Sequence, residues 1–535
     1  MINQVTQLCE KLSFLRSART PFESDWSNIR DLVHVNAVDF NGGTSIRSGA
    51  KIAGEVFDGT APWALEQFAA GLHSMVTNPS SRWAQLELQS IPRENIEDHD
   101  VLSWLDEVSD ILYTELSRSE SLFHSSAHEL YLDIGSFGTG VQFEDYNTAK
   151  GCLSFMACPL SDCWIQENHF GIVDTLYRLR KMTRQQILDK FGQAPEQIIK
   201  ENNPTATYDV YHAVFPRSKF DDTKLDSLNM PFASVWFSEQ FKYKFSEGGY
   251  NSFPYHVPRW TKMAGQCYGR APAHACLPDI LMINKMAEVT IKGAEKMVDP
   301  PLQADDDAFI GSIKTSPGSI IWKEPGSDPI TPLVTGGRPE IGLEMMDSRR
   351  DHIIKSFYVD WLLQQKNSTQ MTATEVIDRR EEKLRMMAPM IGRLESEFCG
   401  PIIRRSFELL SKYDKIPEPP PGVLEQGIEI RYSSPAAEAQ KAGKAINSTR
   451  FIETIIPLLD VDPQLRHYLN LPAYLIEQAN IRDVTSKVIN PPDVVQGKLE
   501  QEAQQQQAMM EVEQAKIAAG AVKDIAHAQN LTAPQ

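Results

Sequence analysis

Cys152, Cys158, Cys163 and His169 are the densest set of soft metal donors in the 535-residue sequence. A zinc centre needs four such donors in tetrahedral array, usually written as short C-x2-C to C-x4-C pairs. Here the spacing is x5, x4 and x5, which matches no common finger or ribbon, so no metal centre is expected. Gly135-Ser-Phe-Gly-Thr-Gly140 is the closest approach to a phosphate cradle, but it follows a helical pattern rather than a strand. That is the wrong order for a dinucleotide loop, and the run reads as a turn from helix into strand. There is no G-x-x-x-x-G-K-[ST], no H-E-x-x-H and no G-x-S-x-G. Asp305-Asp-Asp307 and Glu381-Glu382 could hold a divalent ion, yet like-charge runs are ordinarily solvated faces. The twelve histidines are scattered without spaced partners. Nothing in these types and spacings argues for catalysis, so neither enzymatic activity nor a cofactor is expected.

A second kind of chemistry lies at 364–370. Gln364, Gln365, Lys366, Asn367, Ser368, Thr369 and Gln370 include no apolar residue, and Lys366 carries the one charge. Long helical patterns flank this segment. Upstream, Ile353/Ile354, Phe357/Tyr358 and Trp361/Leu362 recur at i, i+4 and i+8, so one face is buried until the apolar stripe stops. Downstream, Thr372-Ala-Thr-Glu375 is a capping box that restarts a helix to Tyr413, kinked near Pro389 and near Gly400-Pro401. A polar loop held between long helices suits contact with a moving partner; the alternative is a surface loop between two core helices.

The length allows two to four units with sizeable cores, and 41% hydrophobic content is ordinary for a soluble protein. Seven cysteines without a C-x-x-C fit a reducing compartment better than a disulfide framework. The first residues lack a basic region followed by an apolar run, and nowhere do 18 apolar residues stand together, so neither secretion nor a membrane span is expected. Net charge is −18, the wrong sign for a protein that grips phosphate broadly. An acidic surface can still form a wall to which DNA does not stick.

The elements follow from periodicity. Residues 1–37 read as helix with a break at Arg19-Thr-Pro-Phe-Glu23, Thr60 to Val76 as a second helix, and 97–130 as a third helical stretch. Residues 137–260 alternate like strands, as in 175–180 and 208–215, with a short helix from Arg184 to Phe191 between them. A helix starts at Pro278 and stops at Asp299-Pro-Pro301; a Pro/Gly-rich insert with short β-type runs such as Ser319-Ile-Ile-Trp322 follows. Beyond Tyr413 come a proline-rich linker, a strand at Ile428 to Tyr432, helices to about 488, and a Gln/Ala-rich tail. The fold class expected is α+β, mainly helical.

Ile52-Ala-Gly-Glu-Val-Phe-Asp-Gly-Thr-Ala-Pro-Trp-Ala-Leu65, Ala70-Gly-Leu-His-Ser-Met-Val-Thr-Asn-Pro-Ser80 and Trp83 strongly resemble the head-to-tail connector, or portal, proteins of short-tailed, T7-like bacteriophages. Matches continue in order at Phe137-Gly-Thr-Gly140, His212-Ala-Val-Phe-Pro-Arg217, Tyr268-Gly-Arg-Ala-Pro272 with Leu277-Pro-Asp279, Asp299-Pro-Pro301, Met371-Thr-Ala-Thr-Glu-Val376 and Tyr432-Ser-Ser-Pro435. The resemblance covers roughly residues 15 to 440. It implies a portal fold of wing, stem, clip and crown, assembling as a ring, usually of twelve copies, around a DNA channel at one capsid vertex. On this chain it implies a wing at 1–270, a first stem helix at 271–298, a clip at 299–338 and a second stem helix at 339–363. A tunnel loop at 364–371, a long kinked helix at 372–413, a crown at 414–490 and a tail at 491–535 would follow. The implied partners are further copies of the chain, the terminase large subunit, capsid and scaffolding proteins, tail adaptor and tube proteins, and double-stranded DNA, in the virion after assembly in host cytoplasm. A ring of Lys366 would then touch phosphate transiently. The competing readings are an acidic cytosolic scaffold or adaptor, and an enzyme without a readable motif.

Overall fold

The computed structural model describes residues 2–38, 40, 56–79, 82–88, 99–201, 203, 205–220, 226–303, 320, 331–332, 339–362, 386–421, 423, 428–432, 449–455, 474–475, 478–479, 494–502, 504–507 and 509–510. In chain order the elements are α1 (Ile2–Leu32), α2 (Thr60–Val76), β1 (Ala84–Leu88), α3 (His99–Ser117), α4 (Phe123–Phe137), β2 (Gln142–Asn147), β3 (Cys152–Ala157), β4 (Cys163–Glu167) and β5 (Val173–Thr183). Then come α5 (Arg184–Phe191), α6 (Glu196–Ile199), β6 (Thr207–Pro216), β7 (Phe232–Ser238), β8 (Tyr243–Tyr250), β9 (Tyr255–His256), α7 (Pro272–Val298), β10 (Leu302–Gln303) and β11 (Thr331–Pro332). The last are α8 (Pro339–Ser356), α9 (Val359–Leu362), α10 (386–394), a π-turn at Glu395–Cys399, α11 (Gly400–Lys412) and β12 (Ile428–Tyr432). The α+β, mainly helical class holds.

Two compact units result. One takes Met1–Gln85, Ile111–Ile416 and Tyr432–Ala436; the other takes Leu86–Asp110, Pro417–Arg431 and Ala437–Gln535. In the first, β4-β5-β6-β7-β8 form an antiparallel sheet in sequence order, and β3-β2-β9 form a smaller one. Side chains alternate across a strand, so each face of the larger sheet carries its own core. Val5, Leu8, Leu12 and Leu15 of α1 pack with Tyr177, Tyr211, Val235 and Phe237. Ile187 of α5 and Ile198 of α6 pack on the other face with Met182, Val210, Trp236 and Phe245. In the second unit the Trp104 indole N–H donates to the Pro417 carbonyl at 3.0 Å.

Several expected boundaries shift. α1 runs unbroken through Pro21, because that residue is exposed and the carbonyl it leaves free, that of Ser17, is on an exposed residue that water can reach. The helical stretch expected at 97–130 is two helices, separated by Leu122 in the left-handed region with φ 58°. The helix expected from Pro278 begins at Pro272, where a first-turn proline sacrifices no hydrogen bond, and carries Pro278 on its exposed side. Helix α2, the helix α5, the strands around 175–180 and 208–215 and the strand at 428–432 stand where periodicity put them.

Gly135 to Gly140 is the turn from α4 into β2. Gly138 has φ 79°, and a Cβ there would lie 2.5 Å from the Arg270 backbone, so a side chain is excluded on both counts. Among the described residues no helix is long and apolar enough to cross a membrane.

Candidate functional site

Helices α7 and α8 form an antiparallel hairpin whose inner face buries Ile280, Ile283, Ala287, Met346 and Ile353. Its base is fixed by charge. The Asp279 carboxylate accepts from Arg349 Nη1 at 2.9 Å and is 2.6 Å from His352 Nδ1. Arg350 donates from Nε and Nη2 to one oxygen of Asp58, at 3.1 and 2.8 Å, and Asn284 Oδ1 accepts from the Phe57 amide at 2.7 Å. Partial burial pushes the Asp58 carboxyl up, but hydrogen bonds from the Thr60 side chain and backbone, and then Arg350, together hold it below its ordinary range.

The rest of the hairpin surface is different. Leu281, Met282, Val289 and Met297 of α7 are exposed away from the inner face, as are Leu343 and Met345 of α8, and Ile291 and Val298, in line with the inner stripe, are exposed too, Val298 at 87%. Residues 291–299 are exposed on every side, so α7 projects beyond its packing partners. Lys285 and Lys292 flank Glu288 on this helix and pull its carboxyl down to about 2. Contiguous exposed apolar surface rimmed by charge marks a binding face. The ends of the insert expected as a clip meet each other: Leu302–Gln303 and Thr331–Pro332 pair antiparallel.

At the far end of α8 the expected single helix to 363 breaks. Tyr358 takes a left-handed conformation, φ 56°, which turns the chain into α9. Phe357 is fully buried against Phe68, and Tyr358 and Trp361 join Trp260 in an aromatic cluster. A side chain at Gly71 would collide with Leu362 at 2.6 Å, so α2 and α9 meet backbone to side chain there. Gln364 to Gln370, the residues expected to carry function, lie outside the described residues, as does the Thr372–Glu375 capping box; the segment's upstream anchor is α9.

The downstream anchor begins at α10. The kink expected at Gly400-Pro401 is a π-turn: the Gly400 amide reaches back to the Glu395 carbonyl, one residue further than in an α-helix. Pro401 has no amide to donate, and widening the turn just before it accommodates this without a sharp bend. Pro389 interrupts nothing in α10. The π-turn aims Glu397 inward, where its carboxylate accepts from Arg259 Nη2 at 2.6 Å, Nε at 3.1 Å and the Arg259 amide at 3.0 Å. Arg259, 1% exposed, also contacts Glu167, which pairs with Lys262 at 2.7 Å. A second lock joins α11 to β2: Glu144 accepts from Ser406 Oγ at 2.7 Å and faces His256 Nε2 at 2.7 Å, while Arg405 donates to the carbonyls of Glu144 and Ser252.

Cys152, Cys158 and Cys163 are buried free thiols, and burial pushes Cys158 up to about 11, which leaves it a poor metal ligand. His169 is exposed and packs against Phe170. Among the described residues no cluster of three or more His, Cys, Asp or Glu could hold a metal. Arg259, Glu397 and Glu144 were not expected from sequence, since isolated charged residues in a soluble chain carry no local mark of burial.

A model of bacteriophage head to tail connecting proteins matches residues 5–489. A protein described as "Probable portal protein" of Bordetella phage BPP-1 is 28% identical over 511 residues, 92% of this chain and 90% of that protein. "Portal protein" of Salmonella phage epsilon15 is 26% identical over 540 residues, 98% of this chain and 95% of that one. A chain from "Virion of native gene transfer agent (GTA) particle" superposes with a TM-score of 0.34 at 8% identity, covering 74% of this chain and 85% of that one.

Proposed function

The chain belongs to the bacteriophage head-to-tail connecting protein family, and we propose that it serves a phage head as the portal subunit that acts by geometry rather than by catalysis. About twelve copies close into a ring, the number fixed by the rotation that each subunit contact imposes. The observation that carries this reading is the α7/α8 hairpin, which is apolar on both sides: its inner face fills a core and its outer face is left exposed. Such a surface is satisfied when the next copy covers it, as in a heterologous contact that closes on itself. Double-stranded DNA passes through the ring during packaging and ejection. With a net charge of −18 per copy, the lumen repels the phosphate backbone and keeps it sliding. Hydrolysis belongs to another chain, the terminase large subunit, which docks on the ring, and capsid, scaffolding and tail adaptor or tube proteins take the remaining faces. The polar segment Gln364 to Gln370 works as a tunnel loop, with wing, clip, crown and tail at the boundaries given above.

Native mass measurement together with electron microscopy of the purified chain tests this. Rings of about twelve subunits with a hole wide enough for duplex DNA are expected. A chain that stays monomeric even at high concentration and with its scaffolding partner would favour an acidic adaptor, and turnover of a simple substrate would favour an enzyme.

A further inference from the structure

Most buried or half-buried cations of the first unit face a carboxylate or backbone carbonyls, as Arg16, Arg19, Arg259, Arg350 and Arg405 do. One group does not. Arg178 and Arg180 point to the same face of β5, and Lys190 of α5 lies over the Trp236 ring with Nζ 3.5 Å from its centroid. Arg180, Lys181 and Lys190 line a cleft of about 420 Å³ together with Met182, Gln186 and Asp189. Among the described residues Arg178, Arg180, Lys181 and Lys190 make no ion pair within 4.0 Å. Arg178 is 7% exposed, its Nε has no hydrogen-bond partner, its Nη2 reaches Met156 Sδ at 3.7 Å, and its other polar neighbours are the buried Cys158 and Cys163 thiols and the Tyr255 hydroxyl, none of them a carboxylate. Asp145, Asp162 and Asp209 stand in the surroundings, and Asp189 accepts instead from Gln185 at 2.8 Å.

The cations therefore act on one another. Burial and then Arg180 and Arg178 push the Lys190 ammonium down to about 8, and burial and Arg178 hold Arg180 below its ordinary value. The same charges, after burial, keep His212 neutral between the Tyr255 and Ser234 hydroxyls, at 2.6 and 2.9 Å. A chain of net charge −18 that concentrates unneutralised cations at one cleft holds a local positive potential against its own overall field. Three lining cations against one lining carboxylate leave +2, which matches a dianion better than a carboxylate. Arg supplies a planar fork and Lys a point charge, the usual pair for phosphate oxygens.

We propose that this cleft is a phosphate site, taking the dianion of inorganic phosphate or of a phosphomonoester, with Arg180 and Lys190 touching its oxygens and Arg178 supplying charge from beneath. Calorimetric titration of the full chain with inorganic phosphate at pH 7.5 and low ionic strength should give one saturable site per chain. Arg180→Gln and Lys190→Gln should each weaken it about tenfold, and Lys200→Gln, whose lysine is already paired with Glu196, should leave it unchanged. Lys190→Met, which keeps the apolar stem on Trp236, separates loss of charge from loss of packing and should weaken binding as Lys190→Gln does. Competition by a 5′-phosphorylated nucleotide would assign the phosphomonoester as ligand; no competition would assign free phosphate. No saturable phosphate binding, undiminished binding in the Arg180/Lys190 double variant, or equal competition by duplex DNA with hydroxyl ends would overturn the proposal.

Discussion

The sheet body and the α7/α8 hairpin solve the same problem in opposite ways. The five-stranded sheet buries both faces within one subunit, against α1 on one side and α5 and α6 on the other. On the smaller sheet and around α10 and α11 the buried charges are paired, Glu144 with His256 and Ser406 and Arg259 with Glu167 and Glu397. The hairpin buries one side and leaves Val289, Ile291, Met297 and Val298 to solvent. A single copy therefore contains everything that stabilises its body, whereas its hairpin is left incomplete. Paired buried charge belongs to the part that flanks 363–385 on both sides, and exposed apolar surface to the hairpin.

The sharpest way to break the body is to remove the cation that joins α10 to the strands. Arg259→Met leaves Glu167 with Lys262 alone and Glu397 with the more distant Arg393 at 3.9 Å, and removing the shared buried partner should cost about 1–3 kcal/mol. Denaturant unfolding of the variant should register that loss. A loss below about 1 kcal/mol would mean that the π-turn is held by Phe398 and Cys399 packing instead.

Acid attacks the same region. Burial holds His34 and His274 down to about 4 and His212 well below its ordinary value. These imidazoles are neutral in the folded chain and protonate freely when it unfolds. Their contribution is complete above pH 6.5 and is lost as pH falls towards 4, by up to roughly 3 kcal/mol for His34 and His274 each. Asp133, which burial and Glu129 push up to about 8, has the opposite slope, losing its contribution as pH rises from the ordinary carboxyl range towards 8. Thermal unfolding followed from pH 7 to pH 4 should fall steeply in the lower half of that range, and His274→Gln should flatten the curve.

Much of this was legible from spacing. The ends of α2 and α5 follow from apolar periodicity and turn residues, as does the alternation of β5 and β6. The misreadings all concern places where a local rule meets solvent or tertiary packing. Pro21 read as a break and Pro278 as a helix start, but an exposed proline does not stop a long, well-anchored helix. Tyr358 read as part of a continuous stripe, yet a left-handed turn there lets Phe357 pack against Phe68 while Leu362 seats beside Gly71 of α2. The Arg259 and Arg178 sites were invisible because their partners lie far apart in sequence, and a charge pattern becomes a site only when the sheet register assembles it.

On the hairpin, substitutions should separate stability from assembly. Val289→Ser with Ile291→Ser removes exposed apolar surface only, so the monomer should change by no more than about 0.5 kcal/mol. Ring formation, followed by native mass, should fall sharply at the same protein concentration. An equal loss of monomer stability would show instead that the outer face is already packed within one copy.

Lys366→Ala sharpens the comparison at its limit, because it alters none of the body or hairpin residues named above. It removes one charge from a seven-residue polar segment that lies in sequence between α9 and α10, so unfolding midpoint and ring yield should both stay as in the unaltered chain. If the segment is the tunnel loop, the ring loses its transient cationic contact with phosphate, an interaction that salt should weaken in the unaltered ring. Packaging rate and DNA retention in an assembly assay should therefore change in the variant, and the salt dependence of retention should shrink with them. Unchanged packaging and retention would leave Lys366 a solvated side chain and return the segment to a plain connection between two anchored helices.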